Sequence, residues 1–208
     1  DWAIYGPFSI DNDKQNLAIT QDGQKEAMEH AGRTGGLPFV GTGWYRLQFK
    51  SPSFKEGKKA TLIFDGAMSH ARVFINGQEA GNWPYGYNSF VIDATPYLKV
   101  GAVNTLAVRL ENEHESSRWY PGAGLYRNVH LVVHEIAHIP TWGTVLTTPV
   151  VNENYARIDL KTEWKMPKGK QMTDYRIVTV IKNPTGNVVA TDERLGETFD
   201  VSFIKSLQ

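Results

Sequence analysis

The chain has 208 residues, no cysteine, and 22 basic against 22 acidic side chains, which gives a formal net charge of zero. The balanced charge argues against nucleic acid or an anionic membrane as the main partner, and the lack of cysteine excludes disulfides and thiolate chemistry. No apolar run approaches the ~18 residues that a membrane span requires. These properties leave the compartment open, with a periplasmic or secreted location slightly favoured over the cytoplasm.

The first part of the chain gives few structural signals. Residues 9–42 are polar and glycine-rich with little periodicity, which is typical of a long irregular excursion that lies over a neighbouring domain. A single helix-like stretch, residues 24–31, has weak periodicity. The sequence therefore predicts an all-β protein whose regular elements begin near Trp44.

From Trp44 onward, short strands follow one another. The dipeptide Asn76-Gly77 predicts a two-residue type I′ hairpin turn, and residues 93–96 predict one short helical turn. Apolar residues recur with the period of two that places one face of a strand in a core. The predicted core positions are Tyr45, Leu47, Phe49, Leu62, Phe64, Val73, Ile75, Leu106, Val108 and Leu110.

A change in the strand pattern near residues 138–140 predicts a domain boundary. The strands before it are regular, and those after it are short and separated by turn signals, which is typical of an immunoglobulin-like sandwich. Such a domain needs ~100 residues, so we expect the second one to be truncated. The predicted domains are a sandwich at 1–137 and an incomplete immunoglobulin-like sandwich at 138–208. Because an incomplete sandwich exposes a sheet edge, a homo-oligomer is expected.

The run from Ser117 to Asn128 carries the strongest functional signal. It contains three aromatic residues, two arginines and two glycines between strand-like segments at 105–111 and 129–133. Flat rings and guanidinium groups suit stacking on sugar faces and hydrogen bonding to hydroxyls. The run predicts a carbohydrate contact, and its candidate residues are Arg118, Trp119 and Tyr120.

Together with an upstream Gly41-Thr42-Gly43-Trp44-Tyr45-Arg46, this run resembles a signature of glycoside hydrolase family 2. The order and spacing of further motifs extend the resemblance over nearly the whole chain. These motifs are residues 1–8, 65–67, 73–77, 86–87, 93–95, 104–108 and 139–144.

The resemblance implies a jelly-roll (galactose-binding-like) β-sandwich, then part of an immunoglobulin-like domain, with a catalytic (β/α)₈ barrel to follow in the intact enzyme. Retaining glycosidases need two carboxylic acids ~5–5.5 Å apart, and in this family both lie on the barrel. We therefore expect this chain to be a non-catalytic portion of a glycosidase, most often a β-galactosidase, with β-glucuronidase and β-mannosidase as alternatives. A stand-alone carbohydrate-binding module and a purely structural pair of sandwiches are the competing interpretations.

The resemblance also bears on the candidate residues. Several family members have an aspartate that contacts the sugar at about the position of Arg118. An arginine there suits sugar hydroxyls or a carboxylate-bearing substrate. The alternative is that Arg118 forms an ion pair with Glu113 or Glu115 while Trp119 packs between domains.

Other motifs favour structural roles. The pairs Asn112-Glu113 and Asn152-Glu153 look like polar strand ends rather than catalytic acids, since neither ends a barrel strand. His130, His134 and His138 have the spacing of a helical zinc motif, but the sequence between them is strand-like, so no metal and no cofactor are expected. Residues 83–87 form either a second aromatic platform or, as we favour, an edge that packs on the sandwich.

Overall fold

A computed structural model of the chain describes residues 41–113, 123–153, 155–195 and 199–206. In these ranges the protein consists of β-strands and one short 3-10 turn at Met172–Asp174, so the all-β prediction is confirmed. The strands are β1 (Gly41–Lys50), β2 (Lys58–Phe64), β3 (Ala67–Met68), β4 (Ala71–Ile75), β5 (Gln78–Trp83), β6 (Phe90–Asp93), β7 (Val103–Asn112), β8 (Gly124–Leu125), β9 (Val129–Glu135), β10 (Thr144–Val151), β11 (Tyr155–Thr162), β12 (Arg176–Lys182), β13 (Val188–Leu195) and β14 (Phe199–Ser206). No helix within the described ranges is long and apolar enough to cross a membrane.

The chain divides into two compact units, one ending at Val133 and the other beginning at His134. The first unit contains a four-stranded sheet of order β1-β7-β4-β5 and a three-stranded sheet of order β6-β2-β9. The short strands β3 and β8 pair with each other. The domain limits at 1–137 and 138–208 stay a prediction.

The core of the first unit is formed by alternate residues from both sheets, which makes this unit a β-sandwich. Phe64 and Phe90 face each other across the β2–β6 pair, with parallel rings whose centroids are 4.7 Å apart. The Trp83 ring stacks on Phe90 at 5.7 Å. Complete burial of one such side chain contributes about 1.5–3 kcal/mol. The buried cluster comprises Ala60, Leu62, Phe64, Ala67, Ala71, Val73, Ile75, Phe90, Ile92, Ala94, Leu106, Val108 and Leu110.

The predicted core positions on β2, β4 and β7 are all buried. On β1, Tyr45 and Phe49 pack against the cluster, but Leu47 is 59% exposed, so its prediction was wrong. Among the strands that the structure describes, β1 is the outermost in its sheet. The inner face of an edge strand is buried only where the opposite layer extends over it, and alternation alone does not reveal that extent.

Two predicted turns can be compared with the structure. Asn76 and Gly77 have φ values of 52° and 83°, and Ile75 pairs with Gln78, as a two-residue type I′ hairpin requires. The segment after Asp93 forms one hydrogen-bonded turn, in which the Tyr97 N–H donates to the Ala94 carbonyl at 3.1 Å, and it does not extend into a helix. There the Thr95 backbone N–H donates to Asp93 Oδ1 at 3.0 Å, which satisfies it locally without a continuing helix.

The second unit contains a three-stranded sheet of order β10-β11-β14 and a β12–β13 hairpin. The hairpin turn is organised by Asn183, whose Oδ1 accepts from the backbone N–H groups of Thr185 and Asn187. Trp164 and Tyr175 contact each other edge to face, with ring centroids 4.9 Å apart.

Candidate functional site

The end of the run from Ser117 to Asn128 is fixed to a short segment of the sandwich. Strand β8 pairs with β3, so that Gly124 lies opposite Met68 and Leu125 opposite Ala67. The backbone of Gly124 has a φ of 120°, which favours glycine. Farther on, the Asp65 N–H donates to the Asn128 carbonyl at 3.0 Å. Two motifs far apart in sequence, residues 65–67 and 124–128, are therefore one hydrogen-bonded structure.

The strand that precedes this run is fixed to the neighbouring residue of the same segment. The Ser69 N–H donates to the Glu111 carbonyl at 3.2 Å, and the Glu111 N–H donates to the Ser69 carbonyl at 2.9 Å. The Ser69 hydroxyl adds a bond of 2.8 Å to the same Glu111 carbonyl. Met68 and Ser69 thus hold the described residues on both sides of residues 114–122. The predicted site residues Arg118, Trp119 and Tyr120 lie between them, outside the described residues.

Tyr126 connects this segment to a third motif. Its hydroxyl donates to the Gly86 carbonyl at 2.7 Å, and its ring covers Gly66 so closely that an added Cβ there would lie 2.5 Å from a ring carbon. A Cβ on Gly86 would lie 2.1 Å from the Met68 sulfur. A Cβ at Gly66 would require the Tyr126 ring to shift, and one at Gly86 would require the Met68 side chain to shift.

The aromatic rings of residues 83–87 differ in burial, and the structure bears out the predicted packing only for Trp83. Trp83 is partly buried against the core. Tyr85 and Tyr87 are 53% and 58% exposed and contact each other edge to face at 5.6 Å. The His70 N–H donates to the Pro84 carbonyl at 3.0 Å, which fixes the segment beside Ser69. Two exposed tyrosines therefore lie on a segment that is hydrogen-bonded to His70, next to the residue that fixes Glu111.

Several charged side chains lie close together near the end of β7, just before residues 114–122. His70 Nδ1 lies 3.7 Å from Glu113 Oε1, and Glu111 forms an ion pair with Arg109. Ligand atoms of His70, Glu111 and Glu113 lie within 4.8 Å of one another, so these residues include the donor types that a metal ion uses. The sequence analysis missed His70 because it is far from the glutamates in sequence. Glu113 follows the end of β7, as expected of a polar strand end; Glu115 lies outside the described residues.

The three regularly spaced histidines do not converge on one point. His130 Nε2 lies 3.0 Å from Asp65 Oδ2. His134 and His138 have ring centroids 4.0 Å apart, and the Nδ1 of each lies 2.8 Å from a nearby backbone carbonyl. Their spacing therefore reflects positions on and after strand β9 rather than one face of a helix.

Comparison with known proteins identifies the first unit. Residues 37–135 match the model of the family described as glycosyl hydrolases family 2, sugar binding domain. The chain is 42% identical over 163 residues to a β-galactosidase of Bacteroides ovatus. The aligned region covers 78% of this chain and 17% of that protein. It is 36% identical to a putative β-glucuronidase of Formosa agariphila over 77% of this chain and 15% of that protein.

Solved structures show the same relationship. A β-glycosidase from Bacteroides vulgatus superposes with a TM-score of 0.76 at 30% identity, over 99% of this chain and 24% of that one. A family 2 member from Bacteroides cellulosilyticus gives 0.72 at 33% identity, over 82% and 22%. The chain thus spans a quarter or less of these relatives. It belongs to glycoside hydrolase family 2, and residues 37–135 correspond to the sugar binding domain of that family.

Proposed function

We propose that this chain is the non-catalytic N-terminal portion of a family 2 glycoside hydrolase that removes terminal β-linked sugars with retention, most often β-galactosides. The 42% identity to a β-galactosidase supports this substrate, and the 36% identity to a putative β-glucuronidase supports the alternative. Its partners would be carbohydrate, the catalytic barrel of the same protein and further copies in a homo-oligomer.

One observation carries the proposal that residues 114–122 act at the sugar. Both flanks of this connection are fixed to Met68 and Ser69, so its entry and exit are set by the sandwich. Fixed ends reduce the entropy cost of ordering the residues between them when a substrate binds. In the intact enzyme, Arg118 and Trp119 would contact the sugar at the rim of the active site.

The catalytic step itself would need groups from elsewhere. Retention requires a nucleophile and an acid/base about 5–5.5 Å apart, and family resemblance assigns both to the barrel. The 208-residue chain alone should therefore leave nitrophenyl β-galactoside, β-glucuronide and β-mannoside unhydrolysed. Turnover above buffer by the purified chain would refute its non-catalytic role.

The role of the connection is tested in the full-length protein. Arg118→Ala and Trp119→Ala should each lower kcat/KM at least about 10-fold, which corresponds to about 1.4 kcal/mol of transition-state stabilisation. Arg176→Ala, on the exposed face of β12, is the matched control and should retain parental kinetics. Parental kinetics in both connection variants would make residues 114–122 structural.

The three nitrophenyl substrates also distinguish the alternatives. If Arg118 pairs with a substrate carboxylate, its replacement should harm the β-glucuronide reaction more than the β-galactoside reaction. A full-length protein that binds these sugars but hydrolyses none would instead be a carbohydrate-binding module.

A further inference from the structure

The outer face of the four-stranded sheet carries aromatic and cationic side chains that the core does not use. The register places Arg46 on β1 opposite Ala107 on β7, and Phe74 on β4 opposite the other side of Ala107. Trp44 lies two residues before Arg46 on the same face, about 7 Å along the strand. A small residue is thus flanked by an arginine and a phenylalanine, with a tryptophan next to them.

This arrangement produces a cleft of about 510 Å³. Ala107 forms its floor, because its methyl group leaves open the space that a larger residue would fill. The walls include the side chains of Trp44, Arg46, Phe74, Lys99 and Thr105. The cleft lies on the opposite side of the sheet from the buried core cluster.

The aromatic rings of the cleft contact neighbouring side chains, and part of their surface is exposed to solvent. The Trp44 ring lies 5.6 Å from the Phe74 ring at an interplanar angle of 37°, yet Trp44 is 54% exposed. The Arg72 guanidinium lies 5.5 Å from the centroid of Phe74. A supported, solvent-exposed indole is suited to stacking against a flat or ring-shaped ligand.

The charges of this face are not balanced at the cleft. Arg72 Nε donates to Glu79 Oε1 at 3.1 Å, and the hydrogen bond between these side chains lowers the pKa of Glu79. Arg109 pairs with Glu111. Arg46 and Lys99 are exposed, and neither has an ion-pair partner among the residues that the structure describes. The two cations that line the cleft are thus available to pair with an external anion.

The rim beside Lys99 is fixed by buried amides. Asn76 Nδ2 donates to Asn104 Oδ1 at 2.8 Å, and Asn104 Oδ1 also accepts from the Lys99 N–H at 2.8 Å. Asn104 Nδ2 donates to the Lys99 carbonyl at 3.0 Å. Since Asn104 is only 1% exposed, these bonds are protected from water and hold the backbone of Lys99 in place.

We propose that this cleft binds an anionic sugar unit, with the sugar ring stacked on Trp44 and its carboxylate or sulfate paired with Arg46 and Lys99. A stacking ring favours a sugar over a simple inorganic anion, and two uncompensated cations favour a charged sugar over a neutral one. The proposal uses none of residues 114–122 and requires no catalytic group.

Calorimetric titration of the 208-residue chain with three probes tests the proposal. Methyl β-D-glucuronide carries a carboxylate, glucose 6-sulfate carries a sulfate, and methyl β-D-glucoside is neutral. We expect at least one charged sugar to bind about 10-fold more tightly than the glucoside, with an affinity that falls as salt rises. Whichever charged probe binds identifies the anion. Equal affinities for all three, or no saturable binding, would overturn the proposal.

Three variants and a control locate the binding. Trp44→Ala should weaken the binding of all probes, and Arg46→Gln should reduce the preference for charged sugars to what Lys99 alone provides. Ala107→Leu fills the floor without removing a polar group and should block binding, whereas Arg176→Gln should change nothing. Circular dichroism and thermal unfolding would confirm that each variant is folded.

Charged-sugar binding that persists in both Arg46→Gln and Ala107→Leu would place the binding site outside this cleft. The titration measures binding alone. An absence of binding would therefore not contradict the proposed hydrolase function, and an absence of hydrolysis by the full-length protein would not contradict the proposed binding cleft.

Discussion

The two units of the chain use similar strand patterns but bury them differently. In the first unit, residues between Ala60 and Ala123 include sixteen buried apolar side chains. In the second, no apolar side chain between residues 134 and 193 whose burial the structure describes is buried to that degree, and Leu146 on β10 is 56% exposed. Strand β12 alternates as regularly as β4, yet its inward residues are only half-buried. Alternation therefore specifies a strand, whereas burial depends on whether a second layer covers it.

The largest expected change in stability comes from a comparison of two leucines, one in each unit. Leu110 on β7 is fully buried, so Leu110→Ala should lower the free energy of unfolding by about 2–5 kcal/mol through lost burial and a cavity. Leu146→Ala removes the same atoms from an exposed position and should change it by less than about 0.5 kcal/mol. Denaturant unfolding followed by tryptophan fluorescence measures both. Similar losses would mean that the second unit has a core as firm as the first.

A smaller effect is expected where side chains and backbone meet at the candidate site. Gly66→Ala places a methyl group against the Tyr126 ring and should destabilise the first unit by about 1–3 kcal/mol. In a Tyr126→Ala background the same change should cost much less, because the obstructing ring is gone. A double-mutant cycle of unfolding free energies measures the coupling. Additive costs would contradict the direct contact.

Two asparagines that organise turns extend the comparison. Asn104→Ala removes a buried amide that donates to the Lys99 and Ala102 carbonyls and accepts from the Lys99 N–H, and the loss should cost about 1–3 kcal/mol. Asn183→Ala in the second unit should cost at most about 1 kcal/mol, since water replaces the lost bonds in its exposed turn. Thermal unfolding of both variants provides the measurement. A larger loss from Asn183→Ala would reverse the expected order.

The smallest expected effect depends on pH. Burial raises the pKa of Asp93, but hydrogen bonds from Thr95 and the Lys59 ammonium outweigh burial and lower it. A lowered folded-state pKa stabilises the protein above the unfolded value of about 3.9, and this stability is lost as pH falls through the folded value. Because the side chain is half exposed, the contribution should stay below about 1 kcal/mol.

Asp93→Asn isolates this contribution. The variant should lose less stability than the parent between pH 6 and pH 3, when the unfolding midpoints of the two proteins are compared. An identical acid response in both would remove Asp93 as a contributor.

Local patterns carried most of the correct predictions. Period-two alternation gave the core of β2, β4 and β7, and Asn76-Gly77 gave its hairpin, because both depend on neighbours in sequence. The exposure of Leu47 depends on how far another layer extends, which no local pattern records. The joining of Ser69 to Glu111 and of Met68 to Gly124 is likewise long-range. Glycines 66, 86 and 124 were the sequence signal of these close approaches, and the roles of Arg118, Trp119 and Tyr120 stay a prediction.

The fixing of Glu111 and Gly124 to adjacent residues of one segment has a consequence for how this family diversifies. The ends of residues 114–122 are brought together by the sandwich, so the entropy of closing that connection depends only weakly on its length. Doubling it from nine residues would add about 0.6 kcal/mol. Insertions and wholesale replacement there are therefore nearly neutral for folding. Selection can therefore rewrite residues 114–122, which we propose meet the substrate, while the scaffold that fixes their flanks stays unchanged.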